Sequence, residues 1–181
     1  MKLAGKPELD AEIVAAFGAD CEALLRGEYD AWAAPDAPPA ETLAAILVGD
    51  QLARNAFRGT PKMFAADEKA LAWALALADS GRDKALTPVQ RVFAYMPLMH
   101  SEALAVQERE VALLEGLAAE IAGLEGGDAA RAHVANTLSF AQRHVDIVAK
   151  WGRFPHRNAV LGRESTPEEA AGLADGSIGR F

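Results

Sequence analysis

Four polar residues, Asp50, Gln51, Arg54 and Asn55, stand where a buried helix face ought to continue in leucine. Leu43, Ile46 and Leu47 begin that face at helical spacing, and the polar residues occupy its next turns. Asp50 and Arg54 are four apart and can pair along a helix, as can Gln51 and Asn55. The chemistry on offer is a carboxylate that orients the planar fork of an arginine toward an anion. The plainer reading is a helix whose second half emerges into solvent, because charged side chains are seldom fully buried.

A second polar group follows an apolar run. Tyr95-Met96-Pro97-Leu98-Met99 leads into His100-Ser101-Glu102, and Pro97, which lacks an amide hydrogen, predicts a kink or an end there. His100 is a candidate general base near neutral pH, with Asp50 or Glu102 to orient it. Ser101 reads as the N-cap of the following helix and not as a nucleophile, since no strand-turn-helix elbow or Gly-x-Ser-x-Gly surrounds it.

The third group, Trp151-Gly152-Arg153-Phe154-Pro155-His156-Arg157-Asn158, is the densest. Gly152 and Pro155 bar a regular helix, so Arg153, His156, Arg157 and Asn158 are expected on irregular backbone. There they either cap helix carboxyl ends or bind a ligand, and His156 is the alternative base. Just upstream, His133, Phe140, His144, Ile147 and Trp151 share one broad helical face, which predicts an inward His144. No Cys-x-x-Cys, His-Glu-x-x-His, P-loop or Gly-x-Gly-x-x-Gly occurs, so neither a metal nor a cofactor is expected. Asp50, His100, Glu102, His144 and His156 would form a mixed metal site only if folding gathered them.

The elements that must position these groups read as helices nearly throughout. Alanine is abundant, β-branched residues are sparse, and no alternating strand is found. The spacing predicts helices over 9–25, 40–55, 65–78, 87–98, 102–124 and 128–151, and a short last one to about Ala174. Ile13, Phe17, Cys21 and Leu24 mark one face of the first. Thr87-Pro88, Asp128 and the capping box Thr166 to Glu169 supply starts, and the Pro-rich stretch Ala33–Ala40 makes a loop. Seven helices with short connections imply one domain, 1–181, of antiparallel hairpins stacked side by side.

The chain has 181 residues, enough to bury roughly two-thirds of its unfolded surface without a disulfide or metal. Its lone Cys21 cannot form an intramolecular bridge and reads as an apolar filler, which points to a reducing, cytoplasmic compartment. The amino terminus shows no signal-peptide run, and nothing approaches a membrane span. A formal net charge of −8 argues against a general nucleic-acid binder. Yet 51–62 and 150–163 carry only basic charges, which suggests a specific anionic partner.

These segments also resemble a known family. Asp50-Gln51-x-x-Arg54-Asn55-x-Phe57-Arg58-Gly59-Thr60-Pro61 with Phe64-Ala65-x-Asp67, then Tyr95 to Glu102 with Gln107, then Gly152 to Asn158 and Leu161-Gly162-Arg163-x-Ser165-Thr166, look like the bacterial family called domain of unknown function 924. The likeness runs from about Asp10 to the C-terminus. It implies an all-helical fold similar to tetratricopeptide-like arrays and supplies no reaction. Leu52-Ala53 stands where the family usually has Phe-Pro, and the family's aromatic-rich beginning is absent.

Three functions are consistent with these residues. The first is binding of a small phosphate or carboxylate, with Arg54, Arg58, Arg153 and Arg157 as cationic contacts and Asp50, Gln51, Asn55, His100, His144, His156 and Asn158 around them. The second is a hydrolase or transferase using a His/carboxylate pair drawn from His100, His156, Asp50 and Glu102. The third is a protein-interaction scaffold of the helical-repeat kind, with the protein partner left open.

Overall fold

The computed structural model describes residues 7–179, and among them every regular element is helical. The reading of residues 1–6 as lacking a signal peptide lies outside the described residues. The order is α1 (Pro7–Leu25), α2 (Pro39–Ile46), α3 (Ala53–Ala56), α4 (Asp67–Asp79), α5 (Pro88–Met99), α6 (Leu104–Glu120), α7 (Asp128–Trp151), α8 (Asn158–Leu161) and α9 (Pro167–Asp175). None is long and apolar enough to cross a membrane.

Local chemistry accounts for most boundaries. Thr87 and Thr166 each cap a helix through reciprocal bonds with Gln90 and Glu169, and Gly152, at φ 68°, ends α7 in the left-handed conformation that glycine tolerates best. Asp128 is not the cap of α7. It is the first helical residue, behind Gly127, and pairs instead with Arg131. Ser101 likewise does not cap α6: the helix begins at Leu104, and the Ser101 hydroxyl accepts from the Ala103 amide at 3.2 Å. Gln107 holds this link by donating to the carbonyls of Met99 and Ser101, at 3.1 and 2.6 Å. Pro97 does not itself end α5 but sits inside its last turn, and the helix stops two residues later at Met99, close to the expected end near Leu98.

The helix expected over 40–55 exists as α2 and α3 joined through Leu47–Leu52, where the backbone widens into π-helical turns. Such wide turns shift the faces that the following residues present. Gly49 permits a close approach here, since a Cβ on it would lie 3.3 Å from the Ala66 methyl and 3.5 Å from the Leu24 side chain.

The core gathers Leu43 and Ile46 of α2, Leu77 of α4, Val92, Tyr95 and Leu98 of α5, Leu114 and Leu117 of α6, and Val134 and Ala141 of α7. Gln107 bonds the end of α5 while Arg91, near its start, pairs with Glu120, so α5 and α6 run antiparallel. Leu104 packs beside Ile147 and Val148, and Arg131 reaches the Ile121 carbonyl, so α7 is antiparallel to α6 and parallel to α5. Cys21 and Leu24 are buried as expected where α1 packs on α3 and the π-helical turns, but Phe17 is 42% exposed.

Candidate functional site

The π-helical turns deliver Asp50 into the interior, where it is fully buried. Its Oδ1 meets His100 Nδ1 at 2.6 Å and accepts from Arg54 Nη2 at 3.1 Å, and Gln51 donates to Oδ2. Burial alone would raise this carboxyl, but His100, Arg54 and Gln51 outweigh it and hold Asp50 well below the usual carboxylate range. His100 is likewise shifted below an ordinary imidazole: burial, aided by Arg54 and Arg157, lowers it despite the stabilising Asp50. The pair is therefore an aspartate accepting from the Nδ1–H of a neutral ring at neutral pH.

Asp67, the first residue of α4, completes the cluster. It binds the same Arg54 Nη2 at 2.9 Å and lies 3.6 Å from Arg157 Nη1. Its burial outweighs both arginines, so its carboxyl is raised. Arg54 thus serves two carboxylates through one nitrogen, while its buried Nε–H has no acceptor among the described residues. Asn55 donates to the Gln51 carbonyl at 3.0 Å and also accepts from Arg58, whose guanidinium grips Asp10 at 2.7 and 3.1 Å.

Arg157 arrives from the short 3₁₀ turn Pro155–Arg157 and is 8% exposed. Its guanidinium carbon lies 4.4 Å from the centre of the Phe154 ring and 4.9 Å from that of Phe64, which also supports Arg54 at 5.4 Å. Burial and the repulsion of Arg54 push its pKa down to about 10. Apart from the long ion pair to Asp67, its side chain has no hydrogen bond among the described residues.

These groups enclose a cavity of about 520 Å³. Of the candidate residues, Gln51, Arg54, Asn55, Arg58, His100, His144, His156 and Arg157 line it. His144, buried on α7, bonds the Phe140 carbonyl through Nδ1 at 2.8 Å and faces the Phe154 ring edge-on, and burial brings its pKa down to about 4. The wall carries three arginines and no carboxylate. Asp50, Asp67 and Asp10, which balance them, are not among the lining residues.

Three candidates go elsewhere. Glu102 receives Arg163 through two bonds, at 2.6 and 2.9 Å, and the Phe154 amide at 2.8 Å. Arg163 and that amide outweigh burial and lower its carboxyl. Arg153 is held by Glu169 through two bonds of 2.7 Å, and Asn158 donates to Glu169 and Ser165 while accepting from Arg163. All three brace the C-terminal segment, which is also less irregular than expected, since Asn158–Leu161 forms α8. Nor do Asp50, His100, Glu102, His144 and His156 assemble a metal site: among the described residues no three His, Cys, Asp or Glu side chains are so arranged.

Sequence reasoning did not single out Asp67, Phe64, Met63, Met96, Met99, Asn136, Thr137 or Phe140 as site residues. Asp67, Phe64, Met96 and Met99 all stood inside the family-like motifs, the two methionines close to Pro97. Asn136, Thr137 and Phe140 precede His144 at helical spacing, the one signal they carried.

A family model described as a bacterial protein of unknown function, DUF924, matches residues 2–177. The chain is also similar to a solved structure, described as a protein of unknown function, ATU0120, from Agrobacterium tumefaciens. The two are 35% identical with a TM-score of 0.74, over 97% of this chain and 93% of the other. Among curated proteins none matches.

Proposed function

We propose that this chain, which belongs to the DUF924 family, binds a small carboxylate or phosphate in the cavity. What carries the reading is Arg157: a buried guanidinium, held by two aromatic rings, that lines the cavity without a hydrogen bond of its own. Burying a cation costs several kcal/mol, on the order of magnitude set by lost hydration, unless an anion and hydrogen bonds offset it. Asp67 offsets this only in part at 3.6 Å. An oxyanion taking two parallel N–H bonds from the Arg157 fork would complete the compensation and relieve its repulsion with Arg54.

Titration calorimetry with inorganic phosphate and with acetate tests the reading. Binding that raises the melting temperature, and that Arg157→Met abolishes while the helical circular dichroism is kept, is the expected result. Absence of binding by every carboxylate and phosphate tried against folded protein would refute it.

A second reading, a hydrolase or transferase, is favoured by the 2.6 Å contact of His100 with Asp50. Asp50 would hold the tautomer in which Nε2 takes a proton from water or a hydroxyl nucleophile. Turnover of aryl ester or phosphate substrates that His100→Asn removes, and that follows one ionisation below the ordinary imidazole range, would support this. Equal turnover in the variant would end it.

A further inference from the structure

The cavity has two unlike ends, and the second has no use in binding a bare inorganic anion. Arg54, Arg157 and His100 gather at one end. His100 and His144 meet there, their ring centres 6.4 Å apart. From this meeting point α5 and α7 recede in parallel, and Phe93 and His133 make a further ring contact between them, at 6.1 Å. Along α5 the wall passes to Met99 and Met96, and along α7 to Phe140, Thr137 and Asn136. Asn136 lies eight positions before His144, so this part of the wall extends about 12 Å at the helical rise.

Three of its residues, Met96, Met99 and Phe140, present thioether or aromatic groups. The Thr137 hydroxyl is already engaged, donating to the His133 carbonyl at 3.0 Å. Phe140 is 39% exposed, a large ring at the cavity's edge. Methionines suit an apolar body of variable shape, because their unbranched chains repack at little cost. The charged end and the apolar run are continuous within one cavity.

We infer that the ligand is an amphipathic anion: a carboxylate or phosphate head on Arg157 and Arg54, carrying an unbranched or aromatic apolar body along Met96, Met99 and Phe140. This deepens the anion-binding reading and rests on it.

A chain-length series separates the two claims. The probes are acetate, butyrate and octanoate, octyl phosphate as the alternative head, and octanol as the neutral analogue, each measured by titration calorimetry. Each methylene taken out of water strengthens binding roughly fourfold. Octanoate is therefore expected to bind at least about a hundredfold tighter than acetate, at one site per chain. Arg157→Met should remove most of octanoate's affinity while changing that of octanol little. Phe140→Ser, at a position 39% exposed, should shrink octanoate's advantage over acetate while the helical circular dichroism is kept, and Met96→Gln should do the same.

If acetate or phosphate binds and octanoate binds no tighter, the apolar body is wrong and the anion reading stands. If octanoate binds equally well to Arg157→Met, or at several sites per chain, it is coating exposed apolar surface and the inference falls. If no anion binds, both readings fall together. Tighter binding by octyl phosphate than by octanoate would assign the head group without altering the class.

Discussion

Glu110 of α6 is fully buried, and neither of its carboxyl oxygens has a hydrogen-bond partner among the described residues. Burial, reinforced by the negative charge of Asp50, raises its pKa well above the ordinary value of 4.5. Glu110→Met conserves the approximate volume and removes the polar group. An unsatisfied buried polar group costs about 1–3 kcal/mol, so the variant should gain about 2 kcal/mol. For a domain of this size each kcal/mol moves the melting temperature by about 2–4 °C, which predicts a rise of about 4–8 °C.

The gain must also depend on pH. A carboxyl raised in the folded state stabilises fully below its unfolded pKa, and that stability is lost as pH rises toward the folded value, because the unfolded chain releases its proton first. The advantage of Glu110→Met should therefore be larger near pH 8 than near pH 5, while Glu110→Gln, which cannot ionise, should separate the titration from the unmet hydrogen bonds. Scanning calorimetry at both pH values reads this directly. A Glu110→Met protein less stable than the wild type at both, or an advantage that does not grow with pH, would show that the carboxyl is held by interactions the geometry does not contain.

Asp50→Asn should destabilise by about 2–4 kcal/mol, since a fully buried acceptor of three hydrogen bonds loses its charge, and its effect should be strongly non-additive with Arg54→Ala in denaturant melts. Simple additivity would mean that the two act independently. The His144 ring should remain neutral in side-chain NMR until pH approaches about 4, and between about 6.5 and 4 it should favour unfolding progressively, because there the unfolded ring binds the proton and the folded one does not. A midpoint near 6.5, assigned with His144→Gln, would contradict its burial. Glu102→Gln keeps an acceptor for the Phe154 amide but weakens the grip on Arg163. Hydrogen exchange should quicken across 153–163 with little change in the global melting temperature, and a uniform change throughout the chain would argue against a local brace.

Much of the architecture is local chemistry and was therefore legible. The period of apolar residues set the helices, Thr87 and Thr166 with their reciprocal glutamine and glutamate set two starts, and Gly152 set a stop. Asp50, Gln51, Arg54 and Asn55 showed as a break in an apolar stripe, visible because charge on such a face needs a reason. The widening of the helix at Leu47–Leu52 had no local signature, since it answers to the packing of Gly49 against α1 and Ala66.

What the sequence by itself determined, then, was an all-helical chain with three polar groups at helix ends. Which members of different groups meet was decided by the tertiary structure. Asp50 and Glu102 were equal candidates to orient His100, yet the helix crossing gives His100 to Asp50 and sends Glu102 to Arg163, 61 residues away. Arg153 and Arg157, four apart, diverge in the same manner, one to Glu169 and one into the cavity. Spacing along the chain governs contacts within a turn or two of helix. Contacts across dozens of residues follow from how the helices pack, and these made one arginine a brace and left the other buried with its hydrogen bonds unspent.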